Sequence, residues 1–359
     1  MWHEWWATEG TLEVVVGDLE KPKLGMGKAD YEKVVEDTDM IIHNGARVHW
    51  LMPYENLKAA NVLSTLECIK MCATGRSKRM AFVSSTSALD NEHYLQQSDA
   101  GNPVLETDDL EGSRQGLATG YGQTKWVSEK LIAEAGKRGL NGIIVRPGYV
   151  MGDEKSGLSN TDDFLIRMLK GCVQVGARPD VKNTINMVPV THVAQKVLAT
   201  AFNAEKGSVS QIEAHPRLTF NDFLGVLEDY GFTAPLQPYA EWKKKVETYV
   251  DSASQQHDEL ALLGLYHMVT GDLPAATKAP NLDDRNATAA LAADEKLSGK
   301  KAASPGVTRE AVGAYLGYLG QRGFMKAPEG KGAKALPVMK IESEQAEALG
   351  KVGGRGGGS

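Results

Sequence analysis

The sequence predicts an α/β fold, with a doubly wound parallel sheet in the first part of the chain and a mainly helical lobe after it. Three observations carry this. Short apolar runs rich in β-branched residues alternate with longer helical patterns as far as residue 203, the mark of parallel strands joined by crossover helices. Gly, Asn, Ser or Pro follows each run, so each strand breaks off sharply at its carboxyl end. Beyond residue 203 the strand rhythm fades and helical patterns take over.

The strands expected are residues 12–16 (LEVVV), 40–43 (MIIH), 80–84 (MAFVS) and 142–146 (GIIVR). Periodicity predicts helices over 56–73, 121–136 and 161–170, with Asp162 and Asp163 in the first turn of the last, where carboxylates suit the positive helix end. Ligands of such sheets bind beyond the carboxyl ends of the strands, so the residues that finish each strand are the candidates for a site. Further helices are expected at 219–230, 239–250, 259–270 and 308–322, and an exposed loop with short helical pieces at 275–304. From Pro328 the chain is rich in Lys and Gly, with too few apolar groups to offset ordering entropy, and reads as a flexible tail. The expected domains are therefore 1–203, 204–327 and 328–359.

Composition narrows the function classes. The 359 residues are 42% apolar and 24% charged, enough for a large buried core, with a formal net charge of -6. No basic cluster precedes the tail, which argues against a nucleic-acid partner. No apolar run approaches the ~20 residues of a membrane helix, and the opening MWHEWWATEG has no signal-peptide character, so a cytoplasmic protein without a membrane partner is expected. Cys68 and Cys72 fall on one helical face and, like Cys172, are expected to be buried reduced thiols; no metal site is expected.

The chemistry lies in Tyr121-Gly-Gln-Thr-Lys125. A Tyr and a Lys four apart on a helix share a face. An ammonium beside a phenol favours the phenolate, which lets the Tyr exchange a proton with a carbonyl or alkoxide oxygen while hydride moves. Surface helices also produce this spacing; its context sets it apart. The run 80–84 leads into Ser85-Thr86-Ser87, the Tyr–Lys pair follows on the next crossover helix, and the next strand ends in Arg146-Pro147-Gly148.

That order resembles the extended short-chain dehydrogenases, and the resemblance covers residues 12 to at least 202. It implies a Rossmann-like sheet and a nicotinamide cofactor. Asp18 and Leu19 would meet the adenine end, although Asp18 also suits a turn or a helix cap. Asn44, Gly45 and Ala46 end the second run, where small residues let backbone approach a cofactor. By the resemblance Ser84, Tyr121, Lys125, Pro147 and Gly148 complete the cofactor set, and Asn61 supports the active-site backbone. His192 suits a capping role, and His49, Trp50 and Tyr54 either line an entrance or pack a loop.

Longer stretches narrow the family. HNGARVHWLMPYENLKAANVLST, RPGYVMGDEKSGLSNTDDFLIRMLKG, NMVPVTHVAQKVLATAF, HPRLTFNDFLGVLEDYGF and GVTREAVGAYLGYLGQRGF are similar to the thioester reductase domain of fungal α-aminoadipate reductases. The resemblance implies that Thr86, Tyr121 and Lys125 carry an NADPH-dependent reduction of an acyl thioester held on a phosphopantetheine carrier. The helical lobe would face that carrier. No strand, glycine-rich loop and helix of the phosphate-binding kind occurs before residue 12. The chain is thus expected to be a fragment, entering the family pattern just before its third strand, and on its own to bind NADPH poorly and fold marginally. Three alternatives stay open: a reductase of another carrier-linked assembly, a sugar-nucleotide epimerase or dehydratase, and a non-catalytic fragment.

Overall fold

Four parallel strands form the central sheet of the computed structural model, which describes residues 10–252 and 260–340. In spatial and chain order they are β1 (Met40–His43), β2 (Arg79–Val83), β3 (Asn141–Pro147) and β4 (Val209–Ile212). The register pairs Met40 with Arg79, Arg79 with Asn141 and Ile144 with Val209. Alternation puts Met80, Phe82 and Ile144 on one face, packed against Cys68, Cys72 and Ile132. Ala81 and Ile143 point to the other face, against Ala201. After a first helix, α1 (Lys28–Asp37), the helices packed on the sheet are α2 (residues 54–73), α3 (Gly120–Lys137) and α4 (Val190–Asn203), so the sheet carries helices on both faces, as predicted.

The chain divides into two compact units. The first comprises the chain up to Gly148 with Ala194–Ile212 and Pro280–Lys301; the second comprises Tyr149–Val193, Glu213–Ala279 and the chain from Ala302. They interleave along the sequence, whereas the domains expected from it, 1–203, 204–327 and 328–359, are consecutive.

Three differences from the expected elements have physical reasons. Residues 12–16 form no strand: no ladder partner exists for them among the described residues, and Val14 and Val16 stand exposed. A β conformation without a neighbour leaves its backbone groups to solvent. The strand at β4 was not expected, because its sequence VSQI has two polar residues in the middle. Both are fully buried, and Gln211 donates to the carbonyls of Val104 (2.8 Å) and Asp283 (2.9 Å). The expected loop 275–304 contains a 14-residue helix, α5 (Arg285–Ser298), which buries Ala287, Ala290 and Leu291. Ala is the best helix former, and these positions share one face. The buried Glu106 carboxylate accepts from the backbone N–H groups of Asn286 (2.6 Å) and Gln211 (2.7 Å), tying the start of α5 to β4.

The second unit is mainly helical around one core. Its helices include Phe164–Val175, Phe220–Asp229, Tyr239–Ser252 and Arg309–Gln321. Asp163, expected within the first of these, instead caps it, accepting from Leu165 N (2.9 Å). Thr219 and Thr308 cap the second and fourth through their hydroxyls. The expected helix 259–270 is a 3₁₀ turn, Leu263–Leu265, followed by Tyr266–Thr270, and residue 259 lies outside the described residues. Residues 328–340 are irregular but tethered, with Lys334 N donating to Asp229 O and Met339 N to Gln321 Oε1; the rest of the expected tail lies outside the described residues.

Trp242 sits at the centre of this core, fully buried, its indole N–H donating to Ala177 O at 3.0 Å. Removing the ring leaves a cavity and an unpaired carbonyl, so Trp242→Ala is expected to lower stability by about 3–5 kcal/mol, read from urea denaturation.

Candidate active site

The first turn of α3 is wedged between two backbones. A Cβ on Gly120 would lie 2.5 Å from Tyr54 N, and one on Gly122 would lie 2.5 Å from Ser87 O. Only glycine permits both approaches, and Tyr121 lies between them. Thr119 starts the helix, its hydroxyl accepting from Gly122 N at 3.0 Å. Ser87 belongs to the short 3₁₀ turn Thr86–Leu89 that leaves β2, so this packing brings the Thr86 turn to the turn that carries Tyr121. Thr86 is half-buried, and the Ser85 hydroxyl caps its turn by accepting from Ser87 N (3.1 Å).

One helical turn on, Lys125 is buried with 3% of its surface exposed. Its ammonium donates to Val83 O at 2.8 Å, and lies 4.7 Å from the Phe82 ring centre and 5.6 Å from that of Tyr121. Burial pulls its pKa down to about 8, and the Glu129 carboxylate opposes the fall. His43, at the end of β1, is pushed down to about 4 by burial and then by the Lys125 charge, so it is neutral at pH 7. Its Nε2 lies 3.2 Å from both the Ser64 and Thr65 hydroxyls.

Asn61 holds the loop after β1 in place. Its Oδ1 accepts from Arg47 N (2.7 Å), while its Nδ2 donates to Arg47 O (3.0 Å) and to Thr124 Oγ1 (3.0 Å). It lies in a π turn, Ala59–Leu63, inside α2. Such turns widen a helix locally and are frequent at functional sites. The family resemblance already points to Asn61; the widened turn has no signal in sequence.

The remaining expected residues fall into two groups. The Asp18–Leu19 turn meets the segment after β1, since a Cβ on Gly45 would lie 3.0 Å from Leu19 Cδ1. Asp18 accepts from Glu20 N (3.0 Å) and pairs with Lys21 (3.2 Å); these interactions lower its pKa, the backbone bond most. Asn44 and Gly45 are exposed and Ala46 is half-buried beside them. At the ends of the inner strands, Pro147 is buried and Gly148 half-buried. Ser84 faces inward and donates its hydroxyl to Glu129 (2.5 Å). His49 caps its own loop, Nδ1 accepting from Leu51 and Met52 N (3.1 Å each). His192 belongs to the second unit, where its ring pairs with Ala303 O at 2.9 Å. Glu129 escaped the sequence reading, although it continues the Tyr121–Lys125 spacing by one more turn.

The arrangement fits a dinucleotide. An ammonium has three donors, and among the described residues the Lys125 side chain spends one, on Val83, leaving two for a ribose diol. Gly45 and Ala46 leave backbone open to close approach. The buried thiols take no part: burial raises Cys68 to about 12 and Cys72 to about 11. No helix among the described residues is long and apolar enough to cross a membrane.

Comparison with known proteins places the chain among relatives. The NAD-binding family described as male sterility protein matches residues 1–197. The L-2-aminoadipate reductase large subunit of Penicillium chrysogenum is 52% identical over 368 residues, covering 100% of this chain and 26% of its own length. The L-2-aminoadipate reductase of Saccharomyces cerevisiae is 44% identical, with the same coverage. The chain thus spans about a quarter of the length of these relatives. Among solved structures, the terminal R domain from the myxalamid PKS-NRPS biosynthetic pathway superposes with a TM-score of 0.75 at 31% identity, over 91% of this chain and 79% of that one. A thiolation-reductase di-domain from an archaeal non-ribosomal peptide synthetase shares the fold, with a TM-score of 0.66 at 18% identity, over 86% of this chain and 61% of that one.

The wedge around Tyr121 yields a paired prediction. Gly122→Ala should cost about 1–3 kcal/mol, because the Ser87 carbonyl has to move. Gly136→Ala, on the same helix with open space around it, should instead stabilise by up to about 1 kcal/mol. Chemical denaturation of the two variants checks both.

Proposed function

The chain belongs to the NAD-binding family described as male sterility protein, and from that premise we propose that it reduces a carrier-bound acyl thioester to an aldehyde with NADPH. The substrate proposed is the L-2-aminoadipyl thioester of a phosphopantetheine carrier, giving the 6-semialdehyde of lysine biosynthesis. The observation that carries this reading is the buried Lys125 beside Tyr121 at the carboxyl ends of the strands, in a chain similar along its whole length to L-2-aminoadipate reductases.

Each residue has a task that follows from its surroundings. The proposed catalytic set is Thr86, Tyr121 and Lys125. The Thr86 and Tyr121 hydroxyls donate to the thioester oxygen as negative charge grows there, and Tyr121 gives its proton to that oxygen. The hemithioacetal so formed then collapses, its C–S bond breaking as the hydroxyl proton passes to the departing sulfur, which leaves as the pantetheine thiol and frees the aldehyde. Lys125 stays an ammonium, steadies the Tyr121 oxygen electrostatically and donates to the ribose hydroxyls of the cofactor. Asp18, Leu19, Asn44, Gly45, Ala46, Ser84, Pro147 and Gly148 form the rest of the proposed cofactor set; Ser84 acts there through Glu129, not by direct contact. The bound nicotinamide supplies the hydride. The helical second unit is assigned to the carrier domain and its acyl chain.

The likeness to the myxalamid R domain supports a second reading, in which the same residues reduce a different acyl group. A panel of acyl-pantetheine thioesters separates the two. In a complete domain that joins this chain to a phosphate-binding strand, loop and helix, loss of NADPH absorbance with the aminoadipyl thioester, above a control without thioester, is the expected outcome. Turnover of other acyl groups alone would transfer the assignment to the second reading, and no oxidation with any would overturn both.

In that complete domain Tyr121→Phe should lower turnover by roughly 10²–10⁴-fold, the usual worth of a positioned proton donor, with little change in melting temperature. Near-normal turnover would return the pair to a structural role. Lys125 works in its charged form, so turnover should fall as pH rises through about 8, where the ammonium is lost; a pH–rate profile flat across that range would contradict its role.

A further inference from the structure

Glu129 sits one turn beyond Lys125 on α3 and is as deeply buried. Its carboxylate takes Arg146 in a fork, with Nε 3.0 Å from each oxygen and Nη2 2.7 Å from Oε2, and also accepts the Ser84 hydroxyl. Ser84 follows β2 and Arg146 lies near the end of β3, so one carboxylate fastens α3 to the carboxyl ends of two adjacent strands. Arg146 also reaches Gln211 Oε1 on β4, at 3.4 Å. The fork holds α3 against sliding along the sheet, and Lys125 and Tyr121 move with α3.

The charges around Lys125 are few. Its own helix offers Tyr121 and Glu129, β1 offers the neutral His43, and β3 offers Arg146. From β2 come the Val83 carbonyl and the Phe82 ring, and α2 turns the uncharged Asn61 and Thr65 toward α3. Burial disfavours an ammonium, and Glu129 is the anion of this set. We propose that Glu129 is a positioning residue for this reaction: it pins the helix carrying Tyr121 and Lys125 to the strand ends, and its negative charge keeps Lys125 an ammonium. This rests on the reading of Tyr121 and Lys125 as catalytic.

The test follows the Lys125 charge directly. The full chain is labelled with ¹³C at the lysine Cε, and the Lys125 signal is identified by its loss in Lys125→Met. Glu129→Gln alone strands Arg146 in the interior and is expected to fold poorly. The charge-balanced Glu129→Gln/Arg146→Gln is the main variant, and its Lys125 titration midpoint should fall by about one pH unit. Glu129→Asp, which keeps the charge, should restore it. A folded double variant with an unmoved midpoint and only a lower melting temperature would show a structural tie and overturn the proposal. Should the double variant not fold, Glu129→Asp decides: it keeps the charge but draws the carboxylate back from Arg146, so turnover should fall several-fold with the Lys125 midpoint near that of the parent chain, whereas parent turnover with only a lower melting temperature would overturn the proposal. Turnover of Lys125→Met separates the underlying reading, because activity there would sink the catalytic assignment whatever the titrations show.

Discussion

Lys125 is a cation held between a helix and a sheet, and the first unit is arranged around keeping it there. A lone charge moved out of water either loses its proton or unfolds its surroundings, unless polar groups replace the lost solvent. Three do so here. The Val83 carbonyl accepts from the ammonium, the Phe82 ring faces it, and Glu129 lies a turn away, itself held by Arg146. The Glu129–Arg146 fork is deeply buried and meets the condition under which such pairs are tolerated: geometry is bidentate, and Ser84 and Gln211 take up further bonding positions. The ends of β2, β3 and β4 are thereby coupled to one face of α3.

The irregular features of the unit gather around that face. A π turn replaces α-helix where Asn61 reaches the loop after β1, and two glycines let backbone close on both sides of Tyr121. Each departure from regular helix costs stability locally, through lost packing or lost conformational entropy. Such departures gather where reacting groups have to be placed to a fraction of an ångström. The sheet beneath is regular, its apolar faces packed against α2, α3 and α4.

This division explains what could be read from the sequence. Residues 40–43, 79–83 and 141–147 were legible as strands because each is a short apolar run ended by a turn residue, which is how a strand covered on both faces is written. The strand at 209–212 was not, since its two middle residues are polar, and Gln211 is satisfied by groups more than 70 residues away in sequence. Asp, Asn and Lys made residues 285–298 look like loop, although Ala287, Ala290 and Leu291 already carried a helical period. In the site, the four-residue spacing announced Tyr121 and Lys125. Glu129 repeats the spacing but takes its meaning from Arg146, and the need for glycine at 120 and 122 comes from backbone at 54 and 87. Residues 12–16 had strand composition and no neighbour to pair with among the described residues, and composition alone makes no ladder.

Glu106 has a consequence for the order in which the protein is made. Its acceptor oxygens meet the N–H groups of Gln211, Asn286 and Ala287, three donors supplied by two later stretches of chain. When the strands and helices up to residue 148 have left the ribosome, this carboxylate has none of those partners and stays hydrated. Segments of the second unit then emerge before the first unit receives its last strand, and again before it receives α5. The helix carrying Tyr121 and Lys125 is thus in hand early, while the outer side of β3 waits for residues 209–212 to be made. During that interval the open side of β3 is a place for a chaperone to bind or for a neighbouring nascent chain to pair wrongly.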